Sequence, residues 1–315
     1  MKHIVVTIIA VLLSLPALAK GAGTEASPWV IGFSQCNLGE PWRVQMNAEV
    51  KKAADGEKRV KVIYKDAQND TLRQRSHIEE YVSQGVDAIV ISPKEVSLRE
   101  PIAKAFKAGI PVIILDRAVD GDDFTQFIGA DNKIIGEAAG RWVAKKLGGK
   151  GNIVELKGLQ TTIPGHDRHD GFRKGLEGTD IKVLFEADMQ WLEPNARKEM
   201  ESALSRFDNI QLVYAHNDPG AHGAWLAAKA AGREKNIIFV GIDGLPNEGQ
   251  QYVKQGILGA CFEYPTGGKE AIENAVKILG GEKVEKKVVL PSHYYTPQNI
   301  AKGGELLTKP EDAAK

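Results

Sequence analysis

The sequence predicts an α/β protein made of two doubly wound parallel-sheet domains joined by a multi-strand hinge. Three observations predict it. Short β-branched runs alternate with longer amphipathic stretches along most of the 315 residues, the pattern of right-handed βαβ units. Several of the short runs are apolar throughout, as strands covered on both faces must be. One pattern also recurs in both halves: an apolar strand entered from a helix and left at a polar residue, at 85–92 and 109–116, is echoed at 210–217 and 236–243.

The elements follow in order. Strands are expected at 29–34, 60–64, 88–92, 112–115, 153–156, 181–185, 212–215, 237–242 and 257–262, each a short run rich in Val, Ile, Leu or Phe. Between them, helical periodicity covers 42–54, 72–84, 98–108, 134–147, 195–207, 221–231 and 268–279. Pro41 opens the first helix, and Gly85 and Gly109 stand between a helix and the strand that follows. Nine such units overfill one small sheet. We therefore expect a first domain of 28–130 with 264–288 and a second of 131–263 with 289–307, the chain crossing near 129–132 and again near 263–265. A closed (βα) barrel is the alternative architecture for repeats of this total length.

Composition excludes some classes of function. Lys and Arg number 41 and Asp and Glu 41, which argues against a nucleic-acid binder needing a basic face. The longest basic stretch is only 58–61. Residues 1–19 read as a secretory signal peptide cut after Ala19: Lys2 and His3 precede an apolar run, then Pro16, then Ala17-Leu18-Ala19. A run of about twelve apolar residues is too short to span a bilayer. Export permits a disulfide between Cys36 and Cys261, although two isolated cysteines also suit small buried hydrophobes; the sequence leaves their pairing open.

Ligands of open α/β sheets bind at the carboxyl ends of strands. The first strand is followed by a segment containing Glu40, Pro41, Trp42 and Arg43, and the fourth by Asp116 and Arg117. Later strands end at His216-Asn217-Asp218, at Asp243-Gly244 and at Glu263. Such an inventory suits a neutral polyhydroxylated ligand. Each sugar hydroxyl both donates and accepts, so carboxylates, arginines and an asparagine satisfy it, while an aromatic ring covers the apolar face of the sugar. A phosphate ligand calls for a glycine-rich loop before a helix, and none is present. Nor is there a nucleophile motif, a zinc-ligand spacing beyond the isolated His166, His169 and Asp170, or any other pattern for catalysis, a metal or a cofactor.

These residues resemble the periplasmic sugar-binding proteins of ABC transporters, in the ribose- and galactofuranose-binding group. The similarity runs from Trp29 to Leu307 and is carried by Ile31-Gly32-Phe33-Ser34-Gln35, Pro41-Trp42-Arg43, the segments 84–89 and 110–117, Ala130-Asp131-Asn132, the segment 167–172, the segment 213–218 and Gly241-Ile242-Asp243-Gly244. The resemblance implies the type I periplasmic binding-protein fold, with a sugar cleft between two hinged domains. Trp42 and Arg43 would stack on and hydrogen-bond the sugar, and Asp116 and Arg117 would hold ring hydroxyls. Arg168 would reach it from a helix start, Trp191 would be a second stacking aromatic, and Asn217 and Asp243 would complete the clamp. Glu263, at a hinge crossing, stands where ribose binders have glutamine. Those binders carry two phenylalanines where this chain has Trp42-Arg43, so a furanose is implied, galactofuranose first. The expected molecule is a periplasmic monomer that is not an enzyme, with a monosaccharide ligand and an inner-membrane permease as partners. Alternatives are a binder of another pentose, hexose or polyol, or a sensor domain feeding a chemoreceptor or regulator.

Overall fold

A computed structural model describes residues 20–314, so the expected signal peptide at 1–19 lies outside the described residues. Strand and helix alternate as βαβ periodicity requires: β1 (Trp29–Gln35), α1 (Pro41–Asp55), β2 (Val60–Asp66), α2 (Thr71–Gln84), β3 (Ala88–Ile91), α3 (Arg99–Lys107), β4 (Val112–Leu115) and β5 (Gln126–Gly129). The chain continues through α4 (Asn132–Lys146), β6 (Lys150–Lys157), α5 (Ile163–Gly175), β7 (Asp180–Asp188), α6 (Glu193–Arg206), β8 (Leu212–Ala215), α7 (Asp218–Ala230) and β9 (Ile238–Asp243). It ends with α8 (Gly249–Lys254), β10 (Ala260–Glu263), α9 (Gly268–Leu279), β11 (Lys287–Val289), β12 (Ser292–Tyr295) and β13 (Glu305–Leu307).

Two open sheets form, not a closed barrel. The first has the order β11-β5-β4-β3-β1-β2 and the second β13-β12-β10-β9-β8-β6-β7. Five strands of each occupy matching places, all parallel: β5-β4-β3-β1-β2 against β10-β9-β8-β6-β7. The repeated sequence pattern thus becomes a repeated topology. The chain crosses between lobes three times, after β5, after β10 and between β11 and β12. Val289 still pairs with Gly129 in the first sheet, one residue past the boundary expected from the sequence.

Most differences from the sequence reading concern short or polar elements. β5, β11, β12 and β13 have three or four residues each, too few for a periodicity to register. The strand expected to begin at 257 begins at Ala260, because α8 is followed by a turn through Gly256 at φ 71°. α5 escapes a hydrophobic-period reading because its contact face is made of glycine. Gly136 and Gly140 of α4 meet Gly171 and Gly175 of α5 across an interface where a β-carbon on Gly136 would come within 2.5 Å of the Arg168 carbonyl oxygen. Backbones approach so closely only without side chains, and the contact holds α5 in place beside the crossing. Cys36 and Cys261 are both buried and unpaired. No helix among the described residues is long and apolar enough to cross a membrane.

Candidate functional site

The carboxyl ends of both sheets face each other, and eleven residues close on a small cavity between them: Glu40, Trp42, Arg43, Asp116, Arg117, Pro164, Arg168, Trp191, Asn217, Asp243 and Tyr264. Nine of the ten residues expected from the sequence are therefore brought together. Glu263 is not. Its carboxylate turns to β12, where it accepts from the His293 backbone at 3.0 Å and faces His293 Nδ1 at 2.6 Å.

The first lobe supplies a tightly bonded wall. Pro41 at the first position of α1 and the short loop before it present Trp42 and Arg43 on the first turn, inward. Arg43 is 2% exposed and donates from Nη2 to Asp116 Oδ2 at 2.9 Å and from Nη1 to Ser92 Oγ at 2.9 Å. Burial disfavours ionisation of Asp116, but Arg43, Arg117 and a hydrogen bond from Tyr264 outweigh it and hold its carboxyl below the usual range. Arg117 donates from Nη1 to the Lys94 carbonyl at 2.8 Å. Trp42 serves core and cavity alike: its ring stacks on Tyr264 at 5.1 Å and its Nε1 donates to the Tyr264 carbonyl at 2.6 Å.

The second lobe is less evenly matched. Arg168 stands in the second turn of α5, not at its start. Its Nε donates to Asn132 Oδ1 at 2.9 Å, Nη1 donates to the His216 carbonyl, and Asp243 lies only within ion-pair distance at 3.8 Å. The guanidinium lies between the rings of Tyr264, 4.5 Å from the centroid, and Trp191, 5.3 Å away. Asn217 caps α7 by accepting from Gly220 N and donates to the Trp191 carbonyl at 2.9 Å, so most of its side chain braces Trp191. Burial, together with Asp218, Glu248 and Glu40, pushes Asp243 well above the usual carboxyl range despite Arg168. Burial also raises Asp218, which accepts from Gly244 N and Cys261 Sγ. Glu248, half-buried near Asp218 and Glu193, is pushed up to about 8.

Backbone strain marks the same places. Asp116, Trp191 and Asp243 have φ of 66°, 67° and 136°, conformations that cost a non-glycine residue about 1–3 kcal/mol. Three donors of the cavity, Arg43 Nε, Arg117 Nε and Trp191 Nε1, are buried without a hydrogen-bond partner among the described residues. Buried polar groups are almost always paired; Arg43 Nε and Arg117 Nε stand only at ion-pair range, 3.7 Å from Glu40 Oε1 and 3.8 Å from Asp116 Oδ2, while Trp191 Nε1 has no such neighbour. His166 and His169 do not converge: His169 faces Glu155 at 2.8 Å while His166 faces Asp170. Glu155, His169 and Glu186 do gather, but Arg173 binds both carboxylates at 2.8 and 2.9 Å.

Tyr264 and Pro164 are the cavity residues that the sequence reading missed, and Tyr264 is the polar one. It lies one residue beyond Glu263, where β10 ends, and looks like ordinary core. Extending the strand-end search by one position would have found it.

The periplasmic binding protein domain matches residues 31–283. A ribose import binding protein of Bacillus subtilis is 30% identical over 282 residues, covering 89% of this chain and 91% of the relative. A galactofuranose-binding protein of Escherichia coli K12 is 34% identical, covering 75% of this chain and 77% of its own length. Among solved structures, the fructose-binding periplasmic domain of a hybrid two-component system is 39% identical with a TM-score of 0.83, covering 87% of this chain and 93% of that one. A Mycobacterium smegmatis protein in complex with β-D-fucofuranose is 31% identical with a TM-score of 0.82, covering 87% and 93%. The chain belongs to the periplasmic binding protein domain family.

Proposed function

We propose that the protein captures a monosaccharide in the cavity between its lobes by hinge closure and delivers it to the permease of an ABC transporter. The observation that carries this reading is the balance of the cavity wall. Arg43, Arg117 and Arg168 face Glu40, Asp116 and Asp243, with Trp42, Trp191 and Tyr264 as ring surfaces. A neutral polyol meets both signs, because each hydroxyl donates and accepts. Sugar-binding relatives of similar length support the same reading. The Trp42-Arg43 pair in place of two phenylalanines favours a furanose, and galactofuranose is our first candidate. The protein is read as an exported monomer that returns its ligand unchanged.

A thermal-shift panel of aldoses, ketoses and polyols tests this. A site ligand at a hundredfold excess over Kd should stabilise the fold by about 2.7 kcal/mol, with furanose-rich sugars giving the largest shifts. If no monosaccharide or polyol moves the transition, the reading fails. Chemical change in the recovered sugar would indicate an enzyme instead.

A further inference from the structure

Tyr264 contacts both walls of the cavity: Trp42 and Asp116 of the first lobe and Arg168 of the second. It sits in the second crossing, straight after β10, while Asn132 opens α4 straight after the first crossing. Arginine only donates, so Arg168 Nε, 2.9 Å from Asn132, fixes that oxygen as Oδ1. Asn132 Nδ2 then faces the Tyr264 hydroxyl at 3.3 Å. That hydroxyl has a single hydrogen and gives it to Asp116 Oδ1 at 2.8 Å. A directed chain results: Arg168 to Asn132 to Tyr264 to Asp116. Its ends are the second lobe's guanidinium and the first lobe's carboxylate, and its middle members lie on two of the three crossings. The ring of Tyr264 is held on one face by Trp42 of the first lobe and on the other by Arg168 of the second.

We propose that Tyr264, with Asn132, is a positioning residue that couples hinge closure to the alignment of Asp116 and Arg168. The proposal rests on the monosaccharide reading of the cavity. When the lobes part, Asp116 and Arg168 separate, and a chain of three hydrogen bonds between them cannot stay whole. Closure completes it, and the two polar walls then meet the ligand as one rigid set. Opening a liganded protein requires breaking the chain, so its effect falls mainly on dissociation.

The test is Tyr264→Phe, which keeps the ring stack and removes only the hydroxyl. With D-galactose and D-fructose as probes, stopped-flow fluorescence should show dissociation accelerated about tenfold to a hundredfold, the size of a hydrogen bond to a charged group, with association nearly unchanged. In an Asp116→Asn background, which weakens the acceptor, the added effect of Tyr264→Phe should largely vanish. An equal loss in both backgrounds, or unchanged dissociation, overturns the proposal. X-ray scattering of the ligand-free protein supplies an arm that needs no sugar: Tyr264→Phe should have the larger radius of gyration, and identical scattering also overturns it. If neither probe binds the unaltered protein, the wider sugar panel decides the monosaccharide reading, and the scattering arm still decides the role of Tyr264.

Discussion

Asp116 follows β4 and Asp243 ends β9, strands at matching places in the two parallel cores, yet their electrostatics are opposite. Asp116 has a guanidinium at 2.9 Å and a phenol at 2.8 Å; both compensate its burial, and it is held ionised. Asp243 has its arginine at 3.8 Å, because Arg168 gives its better hydrogen bonds to Asn132 and to the His216 carbonyl. With Asp218 and Glu248 nearby it is driven toward the neutral form. Duplicated backbone topology therefore does not duplicate chemistry. One wall of the cavity offers a fixed anion, and the other a carboxyl that can keep its proton and donate.

The sharpest way to break this comparison is to remove each carboxylate in turn. Asp116→Ala leaves Arg43 and Arg117 buried beside a lost partner, and we expect a loss of about 3–5 kcal/mol in folding stability by denaturant melts. Asp243→Ala should cost clearly less; equal losses would refute the asymmetry. Next in size is Trp191→Ala, expected to weaken binding by about 1–3 kcal/mol while the ligand-free protein still melts cooperatively. Loss of folding would instead make Trp191 a core residue of the second lobe.

A smaller effect lies in the pH dependence of stability. Glu248 is raised from an ordinary value of 4.5 to about 8, so the folded protein binds its proton more tightly than the unfolded chain. Stability should fall as pH rises between about 4.5 and 8. Asp116, shifted the other way, loses its contribution only as pH drops below the ordinary carboxyl range. Thermal melts of ligand-free protein should therefore show a transition a few degrees higher at pH 5 than at pH 8, with the slope reduced in Glu248→Gln. Burial lowers His77 and His216 and acts in the opposite sense, so the test is the difference: a slope unchanged in Glu248→Gln would show that Glu248 is not under-compensated. Smallest of all should be Asp243→Asn, which imitates the neutral form toward which burial drives this carboxyl; at neutral pH affinity should change by about 1 kcal/mol or less.

Much of the fold was legible in the sequence because parallel strands buried on both faces must be apolar throughout and must alternate with amphipathic helices. The elements that escaped were short or lacked a hydrophobic signal: four short strands, the six-residue α8, and α5 with its glycine face. The first-lobe site residues Trp42, Arg43, Asp116 and Arg117 followed from strand ends, as did Asn217 and Asp243. Arg168 and Trp191 did not; they came from family resemblance, since neither stands at a strand end that periodicity can locate. Glu263 stands at a strand end yet points elsewhere, because His293 on the neighbouring antiparallel strand binds its carboxylate more closely than the cavity approaches it.

By itself, then, the sequence determined the layer architecture, the duplication and most of the polar inventory of the cleft, for these depend on burial and on neighbours along the chain. Only the tertiary structure decided which arginine neutralises which carboxylate, which rings stack, and that Tyr264 joins the two walls. Such choices depend on distances of a few ångströms between residues as far apart as Asp116 and Tyr264. Coulomb energy and hydrogen-bond strength vary steeply over that range, and no one-dimensional pattern records it.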